Sequence, residues 1–510
     1  MQQRSVKAVI IIVTIAIAAL FTVKQNRDTT CMYGDALGYY LYLPSAFIYH
    51  NLDHMDNVPR DSSIPGNVYA YVNDMRQMAD VLKKDYVLDQ YTYGVALWES
   101  PFFFAAHAIA KITGGPAMGF SDIYIWAIVF SSWLFTFLGM LLTYRVLRRI
   151  FDDVPALLSV ALIFLATHMF WFSLKQSGMS HIPLYFLYAW LMYLTVRMHE
   201  EPKRLYFILA GFVAGSIFIM RPTDIICLLI PFLYGVYNKQ TFKNKMTFLY
   251  EHKGKIGLAM LVFVLPTIPQ LFYWKLVTGD YIVYSYGQQE FHWMHPQIMK
   301  GLFSYGNGWL PYAPIMVFAI VGFVWLRKYK IWVLPLATVV PLYVYIIYSW
   351  FCFNYINGMG SRPMIHMYPL LAIPLAAFIQ YIYKRHFVVK ATFATIVVVF
   401  ITAIYCFSVA MAKFVFVSEY ATKPYYFNML FKTKIDYNDL LVYDMQELQP
   451  DVDKMTYLGM LAIQDFNTPN DSVSHFVPDP EEDSGYVYHL DKGYEYASMK
   501  LIVPYDKEAL

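Results

Sequence analysis
Apolar runs long enough to cross a bilayer recur along this chain, separated by short polar segments. A membrane helix needs about 20 largely apolar residues. Eleven stretches qualify, near 7–23, 122–144, 154–173, 181–197, 205–220, 223–238, 256–274, 311–326, 331–350, 364–382 and 391–411. Only Arg221-Pro222-Thr223 separates the fifth from the sixth. A further apolar stretch, 93–110, carries Glu99, Pro101 and His107 and reads as an interfacial or re-entrant helix. The first run has a basic start (Arg4, Lys7) and small residues at Ala16, Ala18 and Ala19, as a signal peptide does. It is long for such an apolar region and is read as a span. The whole chain is 58% apolar and 15% charged. A soluble domain carries about 25% charged residues. These features predict an all-α polytopic membrane protein of eleven spans.

Positive residues mark cytoplasmic loops. With the N-terminus placed inside, the inner segments hold Arg4, Lys7, Arg145, Arg148, Arg149, Arg197, Lys203, Arg204, Lys239, Lys243, Lys245, Lys253, Lys255, Arg327, Lys328, Lys330, Lys384, Arg385 and Lys390. The short outer loops hold Lys175, Arg221, Lys275, Lys300 and Arg362. The charge asymmetry predicts a transmembrane domain over 1–411 with three external regions. These are a long first loop at 24–121, a loop at 275–310, and a C-terminal tail or small domain at 412–510. The Asp479-Pro480-Glu481-Glu482-Asp483 run in the tail reads as a solvated loop. No internal repeat is visible.

The inner loops carry no glycine-rich phosphate loop and no carboxylate–histidine grouping. The outer ones place ionisable groups at span ends, where such groups are costly and usually functional. Asp35, a dozen residues past the first span, precedes an aromatic stretch at 36–50 that suits the interface. Its carboxylate is placed at headgroup depth or caps the following helix. Arg362 lies in Gly358-Met359-Gly360-Ser361-Arg362-Pro363. A guanidinium grips phosphate oxygens in a fork, and glycines let the backbone approach a ligand; alternatively the residue is a snorkelling anchor. Arg221 either binds a ligand likewise or pairs with Asp224. His50/His54 and His292/His295 have helical metal-ligand spacing without a closed ligand set, and read as interface histidines. A Cys31–Cys352 disulfide is permitted by compartment.

Three of these features together resemble the GT-C membrane glycosyltransferases that use polyprenyl-phosphate sugars, such as protein O-mannosyltransferases and aminoarabinose transferases. One is Asp35 in Gly34-Asp35-Ala36-Leu37-Gly38-Tyr39-Tyr40. The second is Tyr93-Gly94-Val95-Ala96-Leu97-Trp98-Glu99-Ser100-Pro101, similar to a juxtamembrane helix of that class. The third is Gly360-Ser361-Arg362 entering Tyr368-Pro369-Leu370. The resemblance covers roughly 1–410. It departs from the class where the common Asp-Glu pair is Asp35-Ala36, and where the first-loop helix lacks the usual Lys or His before its proline.

The resemblance implies a GT-C-like bundle in a bacterial inner membrane, with the active face periplasmic. A sugar would pass from a polyprenyl-phosphate donor to a hydroxyl of a protein, glycan or lipid acceptor, with inversion and Asp35 as general base. Arg362 would hold the donor phosphate, aided by Lys275 or Arg221. Asp89, Glu99, Glu290, Tyr39 and Tyr40 are further substrate contacts. No cofactor is specified, and a divalent metal is left open. The alternatives are a lipid-linked glycan polymerase or ligase, and a transporter or flippase of lipid-linked sugars. Against transport, the ionisable residues gather at one face rather than mid-span.

Overall fold
The computed structural model describes residues 32–356, 358–419, 421–436, 439, 476–478 and 486–488. The first predicted span, Cys31, Asn357 and the acidic 479–483 run fall outside those residues. Helices dominate the described part. Those used below are α1 (Asp35–Pro44), α2 (Gly94–Thr113), α3 (Asp122–Leu147), α4 (His181–Glu200), α5 (Arg204–Met220), α6 (Lys253–Thr278), α7 (Lys330–Tyr348), α8 (Arg362–Tyr383) and α9 (Phe387–Ala412). Five of these, α3, α6, α7, α8 and α9, are long and apolar enough to cross a membrane, and the chain is an integral membrane protein.

Of the remaining predicted spans, 181–197 and 205–220 form the uninterrupted helices α4 and α5, and three others are broken for local reasons. The 154–173 stretch divides into Asp153–Leu165 and Met169–Leu174. At the break, the His168 N–H donates to the Tyr312 carbonyl 2.9 Å away instead of up its own helix. The 311–326 stretch is interrupted after Trp309–Tyr312 and resumes at Met316–Gly322. Pro314 lies in the gap, and proline cannot supply the N–H a continuous helix needs. The 223–238 stretch becomes a 3-10 turn, Pro222–Leu228, and one helical turn ending at Leu233. It is too short to be the full span expected.

Helix α8 is the centre of the bundle: 89% of its most apolar window is buried, against 17% for α6. It packs on Met316–Gly322, Asp153–Leu165, α3 and α4. Close approach depends on small residues. A Cβ on Gly211 or Gly215 of α5 would sit 2.1 Å from the Ala259 or Phe263 carbonyl oxygen of α6. This four-residue glycine spacing lets two helix backbones touch.

The aromatic stretch after Asp35 forms α1 and one π-turn, Ser45–Tyr49. Every residue from Ala36 to Pro44 is buried, whereas Phe47 in the π-turn is exposed. Its rings are enclosed by α2 and by the first-loop residues Phe120 and Tyr91. The chain divides into two compact units, Met1–Met445 and Gln446–Leu510. In the second, two short strands, β1 (Phe476–Pro478) and β2 (Tyr486–Tyr488), pair antiparallel.

Candidate active site
Asp35 and Arg362 stand 327 residues apart in sequence and meet in an ion pair, Nη2 to Oδ2, of 2.8 Å. The other carboxylate oxygen, Oδ1, accepts from the Tyr91 hydroxyl at 2.8 Å. Asp35 is the first residue of α1, Gly34 is the N-cap, and no side chain caps that helix. The capping alternative is thereby excluded. Arg362 opens α8 with its side chain 9% exposed, so it is not a snorkelling anchor. Its Nη1 lies 4.0 Å from the Met179 sulfur, and its Nε is buried with no hydrogen-bond partner among the described residues. A buried donor without an acceptor is costly, and an anionic ligand would supply one.

The glycines before Arg362 serve packing rather than ligand approach. Gly360 has a φ of +64°, and a Cβ there would meet the Tyr312 Cβ at 2.6 Å. Its N–H donates to Asn307 Oδ1 at 2.9 Å, which joins the Gly306-Asn307-Gly308 turn to the α8 entrance.

Around this pair the fold gathers Tyr39, Arg221, Tyr286 and Tyr355. The Tyr39 ring lies 4.8 Å from that of Tyr91, and the Tyr286 ring stands edge-on to Tyr91 at 6.2 Å. Tyr39 and Tyr286 are each within electrostatic reach of Asp35 and Arg221. Tyr355 is within reach of Arg221 and Arg362 and has a φ of +42°. Bulky residues rarely adopt that conformation, and such strain clusters at ligand sites. Arg221 follows α5 and does not pair with Asp224. That carboxylate is taken by His366, Oδ2 to Nδ1, at 3.0 Å.

Several expected contacts lie elsewhere. Lys275 is exposed at the end of α6, where its ammonium caps the Gly279 carbonyl and covers the Tyr281 ring. Its charge satisfies a helix C-terminus. Glu290 is exposed, and its backbone carbonyl accepts from the Phe351 N–H at 3.1 Å. The loop instead contributes Tyr286, held by Ser285 donating to the Gln90 carbonyl at 2.7 Å. Tyr40 points away from Tyr39, packs on Phe103 and Phe120 and donates to the Gly119 carbonyl. Glu99 is 1% exposed and neither oxygen has a hydrogen-bond partner among the described residues. Burial pushes its carboxyl well above the usual range. His50 bonds its own Ala46 carbonyl and His54 sits beside Asp53 at the surface. Among the described residues, no three His, Cys, Asp or Glu side chains converge as a metal site.

Asp89 stands one step behind the pair. It is fully buried, and its Oδ1 accepts from the Tyr91 N–H (2.9 Å) and the Tyr71 hydroxyl (3.1 Å). Burial pushes its carboxyl up to about 7. A raised acid stabilises the fold below its ordinary range and loses that contribution as pH climbs through the folded value. Wild-type thermal stability is therefore expected to fall between about pH 4 and 7, and Asp89→Asn to flatten that slope in a detergent melting series. A slope unchanged in the variant would remove Asp89 as its source.

Residues 117–269 match the family model described as dolichyl-phosphate-mannose-protein mannosyltransferase. The match runs from the start of α3 into α6, and contains Arg221 but neither Asp35 nor Arg362. Over that segment the chain is similar to membrane glycosyltransferases with lipid-linked donors, the class to which its sequence was likened.

Among solved structures, ArnT from Cupriavidus metallidurans in the apo state aligns with a TM-score of 0.46 at 11% identity, over 81% of this chain and 67% of that one. AglB from Archaeoglobus fulgidus, an oligosaccharyltransferase solved with an inhibitory peptide and a dolichol-phosphate, aligns at 0.39 and 11%, over 82% and 57%. The Archaeoglobus fulgidus oligosaccharyltransferase with zinc and sulfate aligns at 0.42 and 13%, over 82% and 54%. The chain thus spans little more than half the length of these archaeal chains. No curated protein sequence matches it.

Proposed function
We propose that the Asp35–Arg362 pair is the reaction centre of an inverting glycosyltransferase that takes its sugar from a polyprenyl phosphate. The observation that carries this reading is the meeting of a carboxylate and a guanidinium from the first residues of α1 and α8, with an unused buried Nε on the guanidinium. The donor tail lies in the bilayer and its phosphate sits against Arg362, with Arg221 as the second cation. Lys275 and Glu290 have no part in it, and Tyr39 lines the site where Tyr40 does not.

The ion pair describes a resting state. A phosphate that engages Arg362 competes with Asp35 for the same guanidinium. Donor binding therefore frees the carboxylate when an acceptor hydroxyl needs a base. Asp35 removes that proton while the oxygen attacks the anomeric carbon from the face opposite the phosphate. The leaving phosphate gains charge, which the two guanidinia stabilise. Tyr91 holds the freed carboxylate in place, and is itself fixed by Asp89 through its N–H and by the Tyr39 and Tyr286 rings. The excess of Lys and Arg in alternate short loops supports a cytoplasmic N-terminus and an active face on the far side of a bacterial inner membrane.

A labelled polyprenyl-phosphate sugar in proteoliposomes tests the reading. Tyr91→Phe removes one hydrogen bond to a charged group, worth about 1.5–3 kcal/mol. It is expected to lower kcat about tenfold or more while the donor KM changes little. A raised KM at constant kcat would make Tyr91 a binding group instead.

A further inference from the structure
Behind the two arginines runs a buried line of three titratable side chains. Asp224 Oδ2 lies 3.0 Å from His366 Nδ1, and His366 Nε2 lies 3.0 Å from His181 Nδ1. All three are at most 2% exposed. Hydrogen-bond logic assigns the protons. The Tyr343 hydroxyl donates to the Pro363 carbonyl at 2.9 Å, so it presents oxygen lone pairs to His366 Nδ1 at 2.6 Å. Nδ1 of His366 is therefore the donor, shared between Tyr343 and Asp224. Nε2 of the neutral ring then accepts from His181 Nδ1–H. This leaves His181 Nε2 with a free lone pair, and that atom is buried with no partner among the described residues.

Arg362 Nε is likewise buried without a partner among the described residues. The charged and titratable groups around the His181 ring are His366 and Arg362 from α8, Arg221 after α5, and His168 before Met169. Asp224 acts on it through His366, Tyr343 and Tyr188 flank His366, and the Phe172 ring stands nearly perpendicular to that of His181 with centroids 5.4 Å apart. Among the described residues, no carboxylate touches His181 directly. The line carries one negative charge, on Asp224, and has room for one more proton.

We propose that His181 is a third cation of the donor-phosphate pocket, taking up one proton when the phosphate binds, with Asp224 behind it through His366 as counter-charge. This rests on the reading of Arg362 as the phosphate ligand. An anion placed beside Arg362 and Arg221 favours the charged form of a neighbouring imidazole. The chemistry gives the proton a use. The donor is a phosphodiester with one negative charge, and the departing lipid phosphate is a monoester whose second ionisation lies near pH ~6. As the bond from the anomeric carbon to the phosphate oxygen breaks, its electron pair moves onto that oxygen. His181 Nε2–H shares its proton with the same oxygen. The acceptor O–H proton goes to Asp35, so atoms and charge balance.

Farnesyl methyl phosphate, a diester that keeps one charge across the working range, serves as a probe that binds without turnover. Titration calorimetry of the full chain in detergent, in buffers of different ionisation enthalpy at pH 8, reads the protons taken up. The wild type is expected to take up close to one proton per site and His181→Gln none. Asp224→Asn, which keeps both imidazoles, is expected to reduce the uptake. Binding with no uptake in the wild type, or equal uptake in either variant, overturns the relay and leaves Asp35 as base untouched. Failure of the wild type to bind the diester overturns the phosphate reading itself.

Discussion
Asp35→Asn is expected to lower sugar transfer by about two to four orders of magnitude, the usual contribution of a positioned base, while donor binding becomes tighter. The two effects have one cause. In the resting protein Arg362 is engaged by Asp35 Oδ2 at 2.8 Å, and the donor phosphate must displace that carboxylate. An amide no longer competes as a charge, so the guanidinium is open to the phosphate from the start. A fall in kcat with a fall in donor KM is the signature of a ground-state interaction given up for the transition state. Asparagine is nearly isosteric and keeps an oxygen for Tyr91, so α1 should stay folded. Steady-state kinetics in proteoliposomes over a range of donor concentration separate the two constants. A loss of kcat with weakened donor binding would mean that Asp35 helps hold the donor.

Arg362→Lys is expected to cost about two to three orders of magnitude in kcat/KM, the effect of losing one preorganised charge-stabilising donor. Lysine keeps the charge but offers a point rather than a fork. Arg362 uses Nη2 on Asp35 and leaves Nε for the phosphate, and an ammonium does not present both directions at that depth. The donor KM should rise here, opposite to Asp35→Asn. The double variant is expected to be non-additive, because the two side chains touch and contacting residues couple by about 0.5–3 kcal/mol. Additive losses would show that each residue acts without the other.

How much of this site was legible in the chain depended on whether its parts were local. Asp35 stood out because a carboxylate just past an apolar run needs a reason, and Arg362 for the same reason near the start of another. Their meeting across 327 residues is a property of the bundle. Neighbouring residues misled: Tyr39 and Tyr40 form one aromatic pair in sequence, but successive helix positions face different ways, and only Tyr39 reaches the site. Lys275 read as a ligand because its helix-capping role is invisible without the Gly279 carbonyl beside it. His366 was hidden inside an apolar span, and its partner Asp224 is 142 residues away. Tyr91 gave no signal in a chain with 45 tyrosines. The spans were readable wherever the backbone stays helical, as in α3 and α9. They were misread where Pro314 or the His168–Tyr312 contact diverts the hydrogen bonds.

The most direct test follows both halves of the donor at once. Purified chain in proteoliposomes is supplied with a polyprenyl-phosphate sugar labelled differently in lipid and sugar, and with an acceptor mixture rich in hydroxyls. Release of free polyprenyl phosphate, mole for mole with sugar bound to acceptor in the opposite anomeric configuration, is the predicted result. Asp35→Asn lowers both together, by about two to four orders of magnitude. Donor that stays intact while crossing to the other leaflet, equally fast with and without Asp35, would contradict a glycosyltransferase and make the protein a carrier.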